Sequence, residues 1–410
     1  MDTMISPQNE NDLRTLCVEA GTELSQSLRE LLNFMPGRAL RTGELAKALG
    51  IDKVLASRVL KTSRAGDPLA TLHAAPGPEP LRRVVRAVEA TGAKADSVRA
   101  ADLAVEKFES LIREIVGDRS ALNTLLSAWL PEARREFELR RKQSAYRAMS
   151  EIRGSSADTS LGAVLLHPSK TEGMIDIVWL FGVFALRRTR PGAQVRLTSR
   201  RVAKVGSPRQ PMTLRYEHVE DLRGLRLQEF CSTPEVEIEV HDSGEVVRYL
   251  IADGRAGARS GVDLVFAEVN LAEIRDTLGV DATRSAYFFS EISIPVRSNH
   301  FDVLVHKDVY RGLNPRLLIY DTSFEGVASV NDRARDLDRL DMDESIDSLG
   351  SGVDRFRTGA IPSYARTLEM VFSSLNWDAA EFRGYRSEIE FPIYGTQVTM
   401  SFDPPGAVGH

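Results

Sequence analysis

The spacing of apolar residues predicts helices throughout the first 153 residues of the chain. Residues 12–35 carry an apolar side chain at every third or fourth position, which places one hydrophobic stripe along an α-helix that ends at Pro36-Gly37. The stripe consists of Leu13, Cys17, Ala20, Leu24, Leu28, Leu31 and Met35. Similar patterns predict helices at 81–91, 96–117, 119–129 and 131–153. This half of the chain is therefore expected to be almost entirely helical.

After Gly154-Ser155-Ser156 the pattern changes to short runs rich in β-branched and aromatic residues, separated by turn residues. We predict strands at 163–167, 175–186, 194–205, 235–241, 246–251, 263–269, 287–296, 301–309 and 317–320. Helices are predicted at 271–278 and 363–374, and a hairpin from 388–392 and 397–402. Such a series of strands is typical of an α+β domain with a largely antiparallel sheet.

The predicted fold class is therefore multidomain, α plus α+β, and 410 residues are enough for two or three domains. We place a helix-turn-helix domain at 1–95, a helical connector at 96–154 and an α+β domain at 155–410. The apolar seam at 98–115 has two interpretations: it could pair two chains as a homodimer, or it could pack within its own helical domain. The second is the more usual behaviour of an amphipathic helix.

One short sequence pattern occurs twice in the second half. Ser290-Glu291-Ile292 with Pro295 is repeated as Ser387-Glu388-Ile389 with Pro392, and a second alternating strand follows each copy. The repeat indicates either a duplicated strand pair or a chance match, and matches this short arise easily by chance.

Residues 42–61 have the pattern of two short helices joined by a tight turn. Thr42 is expected to cap the first helix, and Gly50 supplies the positive φ that the turn needs. Ile51 fills the corner and Asp52 caps the second helix. The side chains expected to turn inward are Leu45, Ala46 and Leu49 of the first helix, and Leu55 or Ala56, Val59 and Leu60 of the second. The opposite face of the second helix presents Lys53, Ser57, Arg58 and Lys61.

This segment resembles the helix-turn-helix of bacterial transcription regulators, in the form found in winged members such as the IclR and MarR families. The resemblance covers 42–61 alone, and it implies that Lys53 to Lys61 form a recognition helix supported by Glu44 to Leu49. A wing requires two strands, whereas 64–80 is rich in Pro and Ala and offers at most one strand, at Ala70–His73.

Local charge supports an interaction with nucleic acid. The whole chain has a net charge of −5, but residues 38–86 contain ten Lys or Arg and four acidic residues. Such a basic patch is what phosphate binding requires. We therefore expect Arg38, Arg41, Arg82 and Arg83 to contact phosphates, while the second helix reaches base edges. The alternative interpretation is a plain helical hairpin with a solvated basic face.

The remaining candidate chemistry is weak. Cys17 and Cys231 are the two cysteines, and the chain has no phosphate-binding glycine loop, nucleophile elbow or HExxH motif. His300, Asp302, His306 and Asp308 would share one face of a strand, which we interpret as a half-exposed strand face because ligands spread along one strand rarely converge. Trp179, Phe181 and Phe184 are interpreted as core. We predict no catalytic residue, metal or cofactor.

The predicted function is a DNA-binding transcription regulator, with double-stranded DNA as partner of the N-terminal domain and a small-molecule effector or a protein as partner of the C-terminal domain. The N-terminus lacks a signal-peptide pattern and the apolar stretch 174–186 is too short to cross a bilayer, so a cytoplasmic location without membrane attachment is expected. Two alternatives are an interaction scaffold with a helix-turn-helix-like domain and an enzyme of unrecognised type in the C-terminal half.

Overall fold

The structure, a computed structural model, describes residues 7–35, 41–201, 211–232, 236–243, 246–252, 261–276, 278 and 283–404. Its contacts form two compact units, Met1–Glu138 and Leu139–His410, called unit 1 and unit 2 below. The described part of unit 1 is helical and unit 2 is rich in antiparallel sheet, which confirms the predicted fold class.

Unit 1 begins with a long helix around which the others pack. The helices are α1 Pro7–Leu32, α2 Thr42–Leu49, α3 Lys53–Arg64, α4 Pro68–Ala74, α5 Pro78–Glu89, α6 Ala95–Ser110 and α7 Arg119–Trp129. A π-helical turn, Leu111–Val116, extends α6, and α8, Pro131–Arg153, crosses the boundary between the units. The apolar stripe of α1 lies in the core, where Leu24, Leu28 and Leu31 are fully buried. Fully burying a leucine side chain contributes about 1.5–3 kcal/mol.

The seam predicted at 98–115 packs inside unit 1. Val98, Ala101, Val105 and Phe108 are buried in the same core as α1 and α5, and α6 contacts both of those helices. Ile115, at the end of the seam, is 50% exposed. The packing within one chain therefore accounts for most of the seam.

The prediction of a single strand in the wing region is wrong. Residues 70–73 belong to α4, which begins at Pro68 with Asp67 as its cap; the Asp67 carboxylate accepts a hydrogen bond from the Ala70 N–H at 2.7 Å. A capping aspartate followed by proline at the first helical position favours a helix over a strand. The described residues of unit 1 thus contain no strand that could form a wing.

Unit 2 contains three sheets and a helix that covers one of them. The strands are β1 Ser155–Pro168, β2 Met174–Arg188, β3 Val195–Arg201, β4 Ile238–Asp242, β5 Val246–Ile251, β6 Val262–Arg275, β7 Ala286–Glu291, β8 Val296–His306, β9 Arg316–Asp321, β10 Asp347–Ser351, β11 Phe382–Glu390 and β12 Thr396–Phe402. The short helices are α9 Val353–Phe356 and α10 Tyr364–Leu375. The strand orders are β10-β11-β8-β1-β2-β6, β7-β12-β9 and β3-β5-β4. Among the described strands, β1 and β8 form the one parallel pair.

Two local predictions in unit 2 are wrong. A helix was expected at 271–278. Residues 271–275 instead form the end of β6, where Ile274 and Arg275 pair with β2. The hairpin expected at 388–402 does not form, because β11 pairs with β8 and β10 while β12 pairs with β7 and β9. In both cases pairing with distant strands overrides the local pattern. The helix predicted at 363–374 is confirmed as α10.

The repeated sequence pattern marks a corner between two sheets. The pairing register of β7 with β12 continues into that of β8 with β11: the partners Glu291 and Gln397 are followed, nine residues along each strand, by His300 and Glu388. The two segments thus form one long antiparallel ribbon that leaves the three-stranded sheet and enters the six-stranded sheet. Pro295 and Pro392 lie at this corner, where a residue without an N–H donor fits an interrupted ladder.

The six-stranded sheet is covered on both faces. On one face, Leu161, Val178, Val265 and Leu304 pack against α10. On the other face, side chains of β1, β2, β6 and β8 pack against the two three-stranded sheets. The central strands therefore have both sides buried.

A charged group lies inside this core. The Asp302 carboxylate on β8 is fully buried and accepts two hydrogen bonds from Arg386 of β11, at 2.9 and 2.8 Å, and one from the Tyr364 hydroxyl of α10 at 2.8 Å. Arg386 also donates to the carbonyl oxygens of Phe356 and Arg357. Burial by itself raises the pKa of Asp302, but the hydrogen bonds from Arg386, together with the His300 imidazole 3.4 Å away, outweigh it and hold this pKa below its usual value.

We predict that Asp302→Ala lowers the free energy of unfolding of unit 2 by about 3–5 kcal/mol, because it leaves the Arg386 guanidinium buried without its counter-ion. Urea unfolding of the full chain, followed by tryptophan fluorescence, measures this. The matched control is Asp354→Ala, whose exposed carboxylate pairs with Arg357 at 2.7 Å and should contribute under about 1 kcal/mol. Equal effects of the two substitutions would contradict the prediction.

Candidate nucleic-acid interface

The turn between α2 and α3 has the predicted geometry. Gly50 ends α2 in the left-handed conformation, with φ 63° and ψ 30°. The Asp52 carboxylate then caps α3 by accepting the Leu55 N–H at 2.8 Å. At the start of α2 the prediction differs by one residue: Thr42 lies within the helix, and the Glu44 carboxylate accepts the backbone N–H of Arg41 at 3.3 Å. The acidic side chains of this segment thus fix the ends of the two helices.

The inward faces of α2 and α3 are buried as expected. Leu45, Ala46 and Leu49 of α2 and Leu55, Ala56, Val59 and Leu60 of α3 all lie in the core of unit 1. Ala46 and Ala56 are small residues, which lets helix backbones approach closely. These contacts fix the rotation of α3, and that rotation decides which side chains face outward.

The outward face of α3 carries Lys53, Ser57 and Lys61, which are exposed and follow one another at intervals of four residues. Residues with that spacing lie on one side of a helix. Neither lysine has an ion pair within the described residues. Val54, the neighbour of Lys53, is 72% exposed. From residue 41 to residue 64 the chain carries six Lys or Arg and two acidic residues, and both of those acids are the caps described above. This face is therefore a stripe of positive charge.

Arg58 has a different environment from the other predicted DNA contacts. Its Nε and Nη2 donate to the carbonyl oxygens of Ala74, at 3.3 Å, and Ala75, at 2.7 Å. These oxygens lie at the C-terminal end of α4, where a helix leaves its last carbonyls without intrahelical partners. Arg58 therefore ties α3 to α4.

Arg119, at the start of α7, binds the same end of α4. One of its Nη atoms donates to the carbonyl oxygens of Leu72, His73 and Ala75 at 3.0–3.3 Å. The guanidinium carbon lies 5.5 Å from the centre of the Phe108 ring. Burial, and secondarily the charge of Arg58, lower the pKa of Arg119 to about 10. Two like charges are held together here because the end of α4 is the negative pole of its dipole.

The predicted phosphate contacts fall into three groups. Arg41, before α2, and Arg83, on α5, are exposed and without a side-chain ion pair within the described residues. Arg82 is half-buried and forms an ion pair with Glu109 of α6, which raises the pKa of Arg82 through that hydrogen bond. Arg38 lies outside the described residues.

No local sequence pattern points to a role for Arg119. Asp118, the residue before it, is predicted as a helix cap, and the hydrogen bond from the Ala121 N–H confirms this at 2.8 Å. The partners of Arg119 are carbonyl groups more than 40 residues earlier in the chain.

The other candidate residues predicted from the sequence lie in unit 2. The prediction of a half-exposed strand face at 300–308 is wrong for most of this segment. His300, Asp302 and His306 are buried beneath α9, α10 and their neighbours. His306 instead accepts or donates a hydrogen bond with Glu381 at 2.9 Å. Within the described ranges, no group of three or more His, Cys, Asp or Glu side chains is arranged to hold a metal ion.

Trp179 and Phe181 are half-buried and pack against the core of unit 2 as expected, and both also line a cavity. Phe184 is partly buried and packs against the core of unit 2. As for membranes, no helix in the described part of the chain has the length and the apolar character needed to span a bilayer.

We predict that Arg119→Met weakens unit 1 by about 2–3 kcal/mol, because three carbonyl groups lose a charged donor. Arg58→Met should have a smaller effect, since it also removes the repulsion between the two guanidinium groups. Hydrogen exchange of the amides of α4 and α7 in the full chain measures both. The matched control is Arg99→Met on the exposed side of α6. If the amides of α4 and α7 are as well protected from exchange in Arg119→Met as in Arg99→Met, the role assigned to Arg119 is wrong.

Comparisons with known proteins add no further argument on function. Neither the protein-family models, nor the curated proteins, nor the solved structures include a significant match to this chain.

Proposed function

We propose that this protein is a DNA-binding transcription regulator whose helix α3 enters the major groove. The observation that carries the proposal is the exposed stripe of Lys53, Ser57 and Lys61, held outward by a capped helix-turn-helix with its acidic residues used as caps. Surface lysines that no acidic residue neutralises are the groups that gain from contact with phosphates.

The dimensions of α3 suit this role. An α-helix with its side chains is about 10–12 Å wide, and the major groove is about 12 Å wide. The 12 residues of α3 extend over about 18 Å at about 1.5 Å per residue. The lysines at both ends of the stripe can reach phosphates, while the Ser57 hydroxyl between them can donate to or accept from a base edge. The exposed Val54 offers an apolar contact for a thymine methyl group.

The arginines take separate roles in this proposal. Arg41 and Arg83 are assigned to phosphates because both are exposed and have no side-chain ion pair within the described residues. Arg58 and Arg82 are assigned to positioning, since the first binds the end of α4 and the second binds Glu109. This revises the sequence-based assignment, in which all of them contacted DNA.

A regulator of this kind acts on chromosomal DNA, so we place it in the cytoplasm of a bacterial cell. Two copies would read a palindromic operator with half-sites about one helical turn apart. Unit 2 would then respond to a small-molecule effector or a protein partner.

The test is a binding titration of the full chain against fragmented genomic DNA at several salt concentrations. We expect Lys53→Ala with Lys61→Ala to weaken binding and to lower the slope of log K against log salt by about 2, one unit for each phosphate contact. Ser57→Ala should alter the preferred sequence and leave the salt slope unchanged.

The matched control is Lys94→Ala with Lys170→Ala, which removes the same charge from exposed positions outside α3. Loss of binding in both double variants would show that net charge, and not the α3 stripe, carries affinity. If the unmodified protein binds no DNA while its circular dichroism shows it folded, the proposal fails and the interaction scaffold takes its place.

A further inference from the structure

A cavity of about 390 Å³ lies in unit 2 on the face of the six-stranded sheet that the two smaller sheets cover. Its floor is formed by β1, β2 and β6, and its walls by β3, β5 and β7. The volume falls within the range of small-molecule sites and has room for about a dozen non-hydrogen atoms at the ~30 Å³ of a water molecule.

Aromatic rings form much of the apolar lining. Trp179 and Phe181 stand on the same side of β2, and Phe289 comes from β7. Gly162 lies opposite Phe181 in the pairing of β1 with β2, and a side chain at that glycine would meet Ser290 and Phe301 at 3.3–3.4 Å. The glycine therefore keeps the floor open beside the ring.

Carboxylates from two strands converge on the same cavity. Glu268 and Glu273 come from β6 and Glu291 from the end of β7, whereas Arg196 is the one guanidinium among the described lining residues. Glu268 is the cross-strand neighbour of Trp179, so an acceptor and an aromatic ring stand side by side. Each of these glutamates also has an interaction within the protein. A carboxylate nevertheless has about four acceptor positions, so it can accept from a ligand as well.

Two of the hydroxyl groups that line the cavity share one hydrogen-bond donor. The buried amide of Asn299 donates to the Oγ atoms of Ser160 at 3.0 Å and Ser290 at 3.3 Å. Because these oxygens accept from Asn299, their own protons are left to point at a further acceptor. Both serines line the cavity, so this wall can orient a bound molecule.

We infer that this cavity binds an organic ammonium ion with a small apolar or aromatic body. The ammonium group lies between the Glu268 carboxylate and the Trp179 ring, where a carboxylate and the face of an indole both favour a positive charge. The apolar body packs against Phe181, Phe289 and the aliphatic walls. This inference concerns unit 2 alone and does not depend on DNA binding.

The test is calorimetric titration of the full chain, without DNA, against three probes with the same body: phenylbutylamine, phenylbutanol and phenylbutyrate. We expect the amine to bind at least about tenfold more tightly than the alcohol, a difference of about 1.4 kcal/mol, and the carboxylate to bind most weakly. Amine binding should change tryptophan fluorescence in the unmodified protein, and Trp179→Phe should remove that change.

Glu268→Gln keeps the size of the side chain and removes its charge, so it should weaken amine binding about tenfold and leave alcohol binding unchanged. The control is Glu369→Gln on the exposed side of α10, which should alter neither. Equal affinity for amine and alcohol, no binding of the amine at millimolar concentration, or an unchanged amine affinity in Glu268→Gln would each overturn the inference.

Discussion

Unit 2 depends on the buried carboxylate of Asp302. A charge without partners in such a place would strongly favour unfolding, so β8 can occupy the centre of the sheet because β11 supplies Arg386 and α10 supplies the Tyr364 hydroxyl. The same carboxylate thus sets the position of a neighbouring strand and of the helix above them. Burial raises the pKa of Tyr364 well above its usual value, and the adjacent Asp302 raises it further, so the tyrosine remains a donor.

In unit 1, charged side chains also fix neighbouring helices against each other, in a position nearer the surface. Arg58 and Arg119 meet at the carbonyl end of α4, and the dipole of that helix offsets part of their repulsion. Because Arg58 belongs to α3, this contact fixes α3 against α4 while the apolar side of α3 packs into the core. The exposed stripe of lysines is therefore carried by a helix that is anchored on two sides. The proposed function would require such rigid support, since base contacts depend on side-chain positions.

Local signals predicted local structure well. Gly50, Asp52 and Asp118 act through hydrogen bonds or φ angles within a few residues, and the structure has all three where the pattern indicated. Predictions failed where distant segments decide. The end of β6 follows its pairing with β2, although residues 271–275 alone favour a helix. Likewise β11 and β12 are neighbours in sequence but belong to different sheets, because the ribbon they form with β7 and β8 turns at Pro295 and Pro392.

The same division between local signals and interactions of distant segments applies to the candidate sites. The outward position of Lys53, Ser57 and Lys61 was predictable, because helix periodicity places them opposite the buried residues. Whether an arginine is available for a ligand was not predictable. Arg58 and Arg82 each donate hydrogen bonds to a partner 16 or more residues away in the chain, whereas Arg83 has no side-chain ion pair within the described residues. The cavity was hidden for the same reason: Trp179 and Glu268 are 89 residues apart and become neighbours through strand pairing. A polar residue is therefore best assigned to function after the interactions that hold the fold together have been identified.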